Sequence, residues 1–210
     1  KTIKAANIDQ SDIVMEIGCG IGILTQELSK KVKQLIVIEI DKDCIEATQE
    51  ELKDHQNITF INKDFIRSDL TTIDEKPYQI IANIPYHISA KIVQKIIVQQ
   101  KDITNAILMV QKEFAEKLIA KPNQKDYTPL SLYSQYHLDI KKLFNVSKNC
   151  FYPIPKVESC VIELTPRSTP LFGDIDEELL FKLIKGGFWG KRKFLVNSLQ
   201  KNPYIKLSKE

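Results

Sequence analysis

Short apolar runs alternate with amphipathic segments as far as about residue 121. The runs are rich in Ile and Val and have the length of strands, and the intervening segments repeat apolar residues at helical spacing. The predicted strands are 13–17, 35–39, 58–61, 78–83 and 106–110. The predicted helices are 24–33, 42–54, 89–100 and 113–120. Alternation of this kind is typical of βα units and predicts a mainly parallel sheet with helices on both faces.

Beyond residue 121 the order of elements changes. A helix is predicted over 130–136, followed by two strands at about 139–145 and 159–164. Because these strands are consecutive, we expect an antiparallel pair that closes one edge of the sheet and completes seven strands.

The C-terminal region has the pattern of a small helical unit. Residues 165–170 contain two prolines among polar residues, which is typical of a linker. Helix is predicted within 176–200, with Asp176 as the N-cap, and its glycines divide it into two or more short helices. We therefore predict a larger domain over 1–166 and a small helical domain over 171–210.

A glycine-rich segment follows the first predicted strand. Residues 16–22 read E-x-G-x-G-x-G and precede a predicted helix. Glycines let the backbone approach a ligand closely, and a helix N-terminus adds exposed N–H groups. Position 23 is Ile, so the G-x-G-x-x-G pattern of nicotinamide enzymes is not met. The order of residues resembles the first motif of S-adenosylmethionine-dependent methyltransferases.

Carboxylates stand at the ends of the second and third predicted strands. Glu39 ends the second strand, and Asp64, followed by Phe65, comes just after the third. Each acid alone is more typical of a helix cap or a solvated loop. Together with the glycine loop they favour a nucleotide-like site, because the carboxyl ends of parallel strands meet in one crevice. There Glu39 can accept from ribose hydroxyls and Asp64 from an adenine amine.

The segment Asn83-Ile84-Pro85-Tyr86 follows the fourth predicted strand directly. Asn83 offers an uncharged acceptor, and the proline turn offers carbonyl oxygens without a competing N–H. Tyr86 offers a ring on which a base can stack. This combination favours a site for a flat nucleobase with an exocyclic amine. A strand that ends in a proline turn with a surface Tyr is the alternative interpretation.

Composition is that of a soluble globular protein. The chain has 210 residues, of which 43% are hydrophobic and 27% charged. No apolar run reaches the roughly 20 residues that span a bilayer, and the first residues contain no apolar signal-peptide core. Four cysteines without C-x-x-C spacing and three scattered histidines favour neither disulfides nor a metal site. We expect a cytoplasmic protein without a membrane partner and without a bound metal.

The net charge of +3 is unevenly distributed. From residue 179 to the end, eight basic residues accompany one acidic residue, a net charge of +7, so the remainder carries −4. Phe188, Trp189 and Phe194 interleave with these positive charges. The pattern favours contact with a phosphate backbone. A solubilising tail, with the aromatic residues packed in the small domain, is the alternative.

Six segments in combination resemble a known family, the ribosomal RNA adenine N6,N6-dimethyltransferases, most closely its bacterial small-subunit members. They are EIGCGIGILT, VIEID, NKDF, NIPYHIS, FYPIPKVES and FWGKRKFLVNSL, spread over residues 16–199. The resemblance implies a Rossmann-like class I methyltransferase fold with a small helical C-terminal domain. It also implies methyl transfer from S-adenosylmethionine to adenine N6 atoms of small-subunit ribosomal RNA, during ribosome biogenesis.

The resemblance assigns roles residue by residue. Gly18 and Gly20 would line the methionine portion of the cofactor, Glu39 would hold the ribose and Asp64 the adenine. Asn83 would lie between cofactor and target base. The remaining implied residues are Pro85 and Tyr86 in the amine-binding turn, Phe151 in an aromatic clamp, and Lys156, Lys191, Arg192 and Lys193 at the RNA.

The sequence departs from the family pattern in three places. It begins after the usual Gln-x-Phe-Leu-type segment, its C-terminal domain stops early, and His87 stands where Asn is usual. We expect a truncated chain, and no catalytic role for His87. The alternatives are a large-subunit (resistance-type) adenine methylase, a non-catalytic RNA-binding assembly factor and a small-molecule methyltransferase. A monomer is the simplest expectation.

Overall fold

The structure, a computed structural model, describes residues 1–169, 171, 175–190 and 194–205. Within them the chain forms one sheet of seven strands. The strands are β1 (Ile13–Ile17), β2 (Gln34–Glu39), β3 (Ile58–Asn62), β4 (Tyr78–Asn83), β5 (Ile103–Gln111), β6 (Leu138–Val146) and β7 (Ser159–Pro166). Their order is β3-β2-β1-β4-β5-β7-β6. The first five strands are parallel, and β7 is antiparallel to both of its neighbours, which confirms the predicted sheet.

Helices cover both faces of this sheet. They are α1 (Thr2–Ala6), α2 (Ile23–Ser29), α3 (Lys42–Glu51), α4 (Ser89–Val98), α5 (Lys112–Ile119), α6 (Pro129–His137), α7 (Glu177–Phe188) and α8 (Leu195–Gln200). Helix α1 was not predicted, since five residues are too short to show a helical period. Helix α2 ends at Ser29, earlier than predicted, because the Lys33 N–H already bonds to the Asp12 carbonyl and the chain is turning into β2.

The central strands are apolar throughout because both of their faces are buried. In β4, Ile80 and Ile81 point to opposite faces and both are fully buried. Side chains of α4, α5 and α6 pack on the face that holds Ile80, and α1 and α2 pack on the face that holds Ile81. The continuous apolar runs in the sequence reflect this two-sided covering.

Two strand boundaries differ from those predicted by more than one residue. Strand β5 begins at Ile103, three residues early, because its pairing with Tyr78 of β4 continues past the polar Thr104. Thr165 and Pro166, predicted as linker, extend β7, where they pair with Asp139 and Leu138 of β6.

Arg167 anchors the end of this extended strand. Its guanidinium lies 2.6 Å from the carboxylate of Asp139, and its backbone N–H donates to the carbonyl of His137. The chain therefore leaves the sheet after Arg167.

Helices α7 and α8 confirm the prediction of more than one short C-terminal helix. Asp176 caps α7 by accepting from the Leu179 N–H at 2.9 Å. Helix α7 packs on α6 through aromatic rings, with 4.6 Å between the centroids of Phe181 and Tyr133. Phe188 packs against Tyr127, whereas Phe194 is 84% exposed. The small helical unit thus rests on the α6 side of the sheet. In the described part of the chain, no helix has the length and apolar character required to cross a membrane.

Candidate cofactor and adenine site

The loop after β1 turns sharply at three glycines. Gly18, Gly20 and Gly22 have φ values of 76°, 53° and 78°, a region that L side chains rarely adopt. The loop is fixed at its start by the Gly18 N–H, which donates to the Ile38 carbonyl at 2.9 Å. A Cβ on Gly22 would lie 2.8 Å from Cγ2 of Thr48 in α3, whereas a Cβ on Gly20 would meet no atom within 4 Å. Gly22 thus allows close packing, and Gly20 faces open space.

Glu39 ends β2 beside this loop and is 9% exposed. Its Oε1 accepts from the backbone N–H groups of Ile40 at 2.7 Å and Asp41 at 2.9 Å. Its Oε2 accepts from the Gly20 N–H at 3.4 Å. The structure therefore brings two predicted site residues together, with the carboxylate oriented by its own turn.

Asp64 follows β3, and its side chain is 33% exposed. Oδ1 accepts from the Ile66 N–H at 2.8 Å, and Oδ2 lies 3.5 Å from Nε of the exposed Arg67. The neighbouring Phe65 is buried in the core. Because each carboxylate oxygen has two lone pairs, Asp64 keeps acceptor capacity beyond these contacts.

Asn83 is the last residue of β4, and its side chain is exposed at the carboxyl edge of the sheet. Pro85, with φ −61°, precedes a short 3-10 turn over Tyr86–Ile88 that leads into α4. The Pro85 carbonyl accepts from the Ile88 N–H and the Ser89 hydroxyl, at 3.3 and 3.4 Å. The expectation that this carbonyl lacks a competing donor is therefore wrong. The Ile84 carbonyl accepts no hydrogen bond within the described residues.

Tyr86 begins the 3-10 turn and is half-buried. Its hydroxyl lies 2.5 Å from the hydroxyl of Ser159, the first residue of β7. The loop that precedes β7 carries Phe151, which is half-buried and follows a 3-10 turn over Lys148–Cys150. The turn after β4 and this loop thus meet at the same edge of the sheet.

Lys156 is exposed in the same loop. It lines a cavity of about 380 Å³ with residues from the end of β5 and the start of α5, among them Gln111 and Lys112. The other predicted RNA contacts, Lys191, Arg192 and Lys193, lie outside the described residues. A larger cavity of about 660 Å³ lies between α7, α8 and Tyr127 and is lined by none of the candidate site residues named above.

Two residues without a predicted role belong to the site's surroundings. Glu16 is 1% exposed in β1, and burial raises its pKa to about 8. Its Oε2 has no hydrogen-bond partner among the described residues. An acid inside an apolar strand was the available signal for Glu16. For Ser159 the signal was its place as the last residue of the FYPIPKVES segment, but its contact with Tyr86, 73 positions away, could not be predicted from that segment.

The fold and this edge define the class of protein: an α/β sheet with a glycine loop, two strand-end carboxylates and an exposed Asn-Ile-Pro-Tyr turn is a class I methyltransferase. The family model "Ribosomal RNA adenine dimethylase" matches residues 1–206. The chain belongs to this family.

Known proteins that are similar to this chain have names that fit this family. "Ribosomal RNA small subunit methyltransferase A" of Lachnoclostridium phytofermentans is 39% identical over 216 aligned residues, which cover 100% of this chain and 74% of the relative. A dimethyladenosine transferase from Plasmodium falciparum is similar in structure, with a TM-score of 0.82 and 33% identity, covering 96% of this chain and 72% of that one. The 23S rRNA methyltransferase ErmE gives a TM-score of 0.74 and 27% identity, covering 97% and 81%.

Proposed function

We propose that this protein transfers methyl groups from S-adenosylmethionine to the N6 amines of adenines in small-subunit ribosomal RNA, giving N6,N6-dimethyladenosine. The observation that carries the proposal is the exposed Asn83 at the end of β4, next to β1 and its glycine loop. The names of relatives that are 39% identical favour the small subunit as substrate. We infer that the protein acts as a monomer in the cytoplasm, where ribosomal subunits are accessible.

The cofactor site consists of groups on three adjacent strands. Gly18 and Gly20 would accommodate the methionine portion, because the loop leaves open space at Gly20. Glu39 would hold the ribose by accepting a hydroxyl through Oε2, since Oε1 already accepts two N–H groups, and Asp64 would accept from the adenine amine. When bound, S-adenosylmethionine supplies an electrophilic methyl group on a sulfonium.

Asn83 and the Ile84 carbonyl would prepare the target amine for attack. An adenine amine is a poor nucleophile because its lone pair is delocalised into the ring. Two acceptors, the Asn83 side-chain oxygen and the Ile84 carbonyl, which has no partner among the described residues, would bind the two amine hydrogens and favour a pyramidal nitrogen. The same acceptors stabilise the positive charge that develops on nitrogen. Fixed placement of two reactants removes on the order of 7–11 kcal/mol of barrier.

No strong general base is required for this reaction. The methylated ammonium is acidic and loses its proton to water. The amine then retains one hydrogen that Asn83 or the Ile84 carbonyl can bind, so a second transfer is feasible. This explains how one site can produce a dimethylated base.

The target adenine must leave its stack before it can reach Asn83. Tyr86 would stack on one face of the extruded base, a contact worth roughly 1–3 kcal/mol, and Phe151 would bound the other face. Lys156 is exposed near this edge and would contact phosphate. We assign the same role to Lys191, Arg192 and Lys193 from the charge pattern and the family resemblance.

The test uses labelled S-adenosylmethionine with unmodified small and large ribosomal subunits in parallel, followed by digestion of the RNA to nucleosides. We expect labelled dimethyladenosine from small subunits only. Label in large subunits only would replace the proposal by the second candidate, a large-subunit adenine methylase, which the similarity to ErmE favours. Cofactor binding without label in either subunit would contradict a catalytic role and favour an RNA-binding assembly factor.

A further inference from the structure

The hydroxyl groups of Tyr86 and Ser159 join two segments that the chain separates by 73 positions. Tyr86 follows β4, and Ser159 begins β7, pairing with Gln111 at the end of β5. Because β7 is antiparallel to β5, its first residue lies at the carboxyl edge of the parallel strands. The link is therefore located where Asn83 is exposed.

Ser159 is a rigid point of attachment. Its side chain is fully buried, and its backbone lies in register with Gln111 of β5 and Val146 of β6. The residue before it, Glu158, accepts through its carbonyl from the Lys112 N–H at 3.0 Å. Two neighbouring strands and this bond fix the position of the serine hydroxyl.

The Tyr86 ring is consequently held at both ends. At its backbone end, Pro85 fixes the entry into the 3-10 turn. At its far end, the 2.5 Å hydrogen bond to Ser159 fixes the position of the hydroxyl oxygen and so restrains the swing of the side chain about χ1. A stacking platform is effective only if its position is set before the base arrives, since ordering it afterwards costs free energy.

We propose that Ser159 is a positioning residue that fixes the place of the Tyr86 ring beside the extruded target adenine. This inference rests on the proposed function. The Tyr86 hydroxyl serves this contact and not proton transfer, so the ring and its position are what the reaction requires from Tyr86.

A double-mutant cycle tests the proposal. The variants are Ser159→Ala, Tyr86→Phe and the combination, assayed for kcat and KM on unmodified small subunits. The matched control is Ser134→Ala in α6, since Ser134 is also fully buried and its hydroxyl has no partner in the described part of the chain.

Each single variant should lower kcat by roughly five- to tenfold, the effect of one lost hydrogen bond, and the combination should lower it no further. Binding of S-adenosylhomocysteine should stay unchanged in all variants, and Ser134→Ala should retain the kcat of the wild type.

The outcomes separate this inference from the proposed function. A wild-type protein that methylates neither subunit would contradict the proposed function itself. An active wild type together with an unchanged kcat in Ser159→Ala, or with losses that multiply in the combination, would overturn the role of Ser159. If Ser159→Ala does not fold, Tyr86→Phe decides alone, because it removes the same bond, and wild-type kcat in that variant would overturn the inference.

Discussion

The carboxylate of Glu39 reaches across to the glycine loop, and its Oε2 lies 3.4 Å from the Gly20 nitrogen. The other oxygen, Oε1, accepts from Ile40 and Asp41. The acid at the end of β2 is therefore oriented by backbone N–H groups before any ligand binds. A carboxylate held in this way can accept a ribose hydroxyl through the remaining lone pair of Oε2 without first losing side-chain entropy.

Replacing Glu39 with Gln should weaken the binding of S-adenosylhomocysteine by roughly ten- to hundredfold, the effect of losing hydrogen bonds to a charged group. Isothermal titration calorimetry measures this directly. Glu46→Gln is the matched control, since Glu46 lies on α3 with its side chain 59% exposed and pairs with Lys42. Equal affinities of the two variants would contradict the ribose role of Glu39.

Gly20 and Gly22 should respond differently to substitution by Ala. Both have positive φ, which costs an L residue roughly 1–2 kcal/mol. Only Gly22→Ala also overpacks, because its Cβ would lie 2.8 Å from Cγ2 of the buried Thr48, which adds roughly 1–3 kcal/mol. Chemical denaturation should therefore show the larger loss in unfolding free energy for Gly22→Ala.

A substitution of Thr48, the residue that a Cβ on Gly22 would contact, tests this explanation. Thr48→Ser removes the Cγ2 methyl and should restore part of the stability of Gly22→Ala, but none of that lost in Gly20→Ala. Gly20→Ala should instead mainly weaken cofactor binding, because its Cβ would occupy the open space of the loop. Identical behaviour of the two alanine variants would mean that Thr48 does not determine the difference.

The sequence predicted the sheet well because its strands are buried on both faces. Runs such as Ile80-Ile81-Ala82 are apolar at every position, and this signal does not depend on which helix covers which face. Asp176 was recognisable as a cap because its contact, with Leu179, is local. The ends of strands were less predictable where strand pairing includes or extends past a polar residue, as at Thr104 in β5 and Thr165 in β7.

Contacts between segments that are far apart along the chain could not be predicted from the sequence. The Tyr86–Ser159 bond depends on β7 entering the sheet next to β5, which no local pattern specifies. The occupied Pro85 carbonyl depends on the turn into α4 being a 3-10 turn. The candidate residues Glu39, Asp64 and Asn83 could be chosen from strand ends alone, but their hydrogen-bond partners could not.

Asn83→Ala should reduce kcat strongly and leave the affinity for S-adenosylhomocysteine within a few-fold of the wild type. Removing one preorganised electrostatic donor or acceptor from an active site costs about 10²–10³ in kcat. Single-turnover methylation of small subunits is the appropriate measurement. His87→Ala is the control in the same turn, since His87 is exposed and is expected to have no catalytic role. Full turnover of Asn83→Ala would rule out the proposed mechanism.

Glu16 should make the stability of the protein depend on pH. Burial raises the pKa of Glu16 to about 8 in the folded state, whereas its ordinary value is 4.5. Between these values the unfolded chain is ionised and the folded chain still holds the proton, so rising pH favours unfolding. Above about pH 8 the penalty is complete, and below about 4.5 it is absent.

Glu16→Gln removes this titration and nearly preserves the shape of the side chain. The difference in unfolding free energy between Glu16→Gln and the wild type should therefore grow in favour of the variant from pH 5 to pH 8, then level off. Urea denaturation at each half unit of pH resolves the trend. A difference that stays constant over this range would mean that Glu16 is already ionised in the folded protein at pH 5.

Lys156 should contribute one phosphate contact to RNA binding. Each neutralised phosphate releases bound counterions, so the slope of log K against log salt changes by about 0.7 on single strands and 0.9 on duplexes. Lys156→Gln should lower the magnitude of this slope by that amount, and it should weaken the binding of all RNA sequences equally. Fluorescence anisotropy with a fragment of small-subunit RNA, titrated over a range of salt, gives both quantities.

Lys53→Gln is the control for that measurement, because Lys53 is exposed, follows α3 and already pairs with Glu50 at 3.0 Å. If both variants show the wild-type slope, the loop before β7 does not contact the RNA backbone. If the slope falls for Lys156→Gln alone, phosphate is bound next to the Tyr86–Ser159 pair. The backbone of the target strand would then run past the ring on which its own adenine stacks.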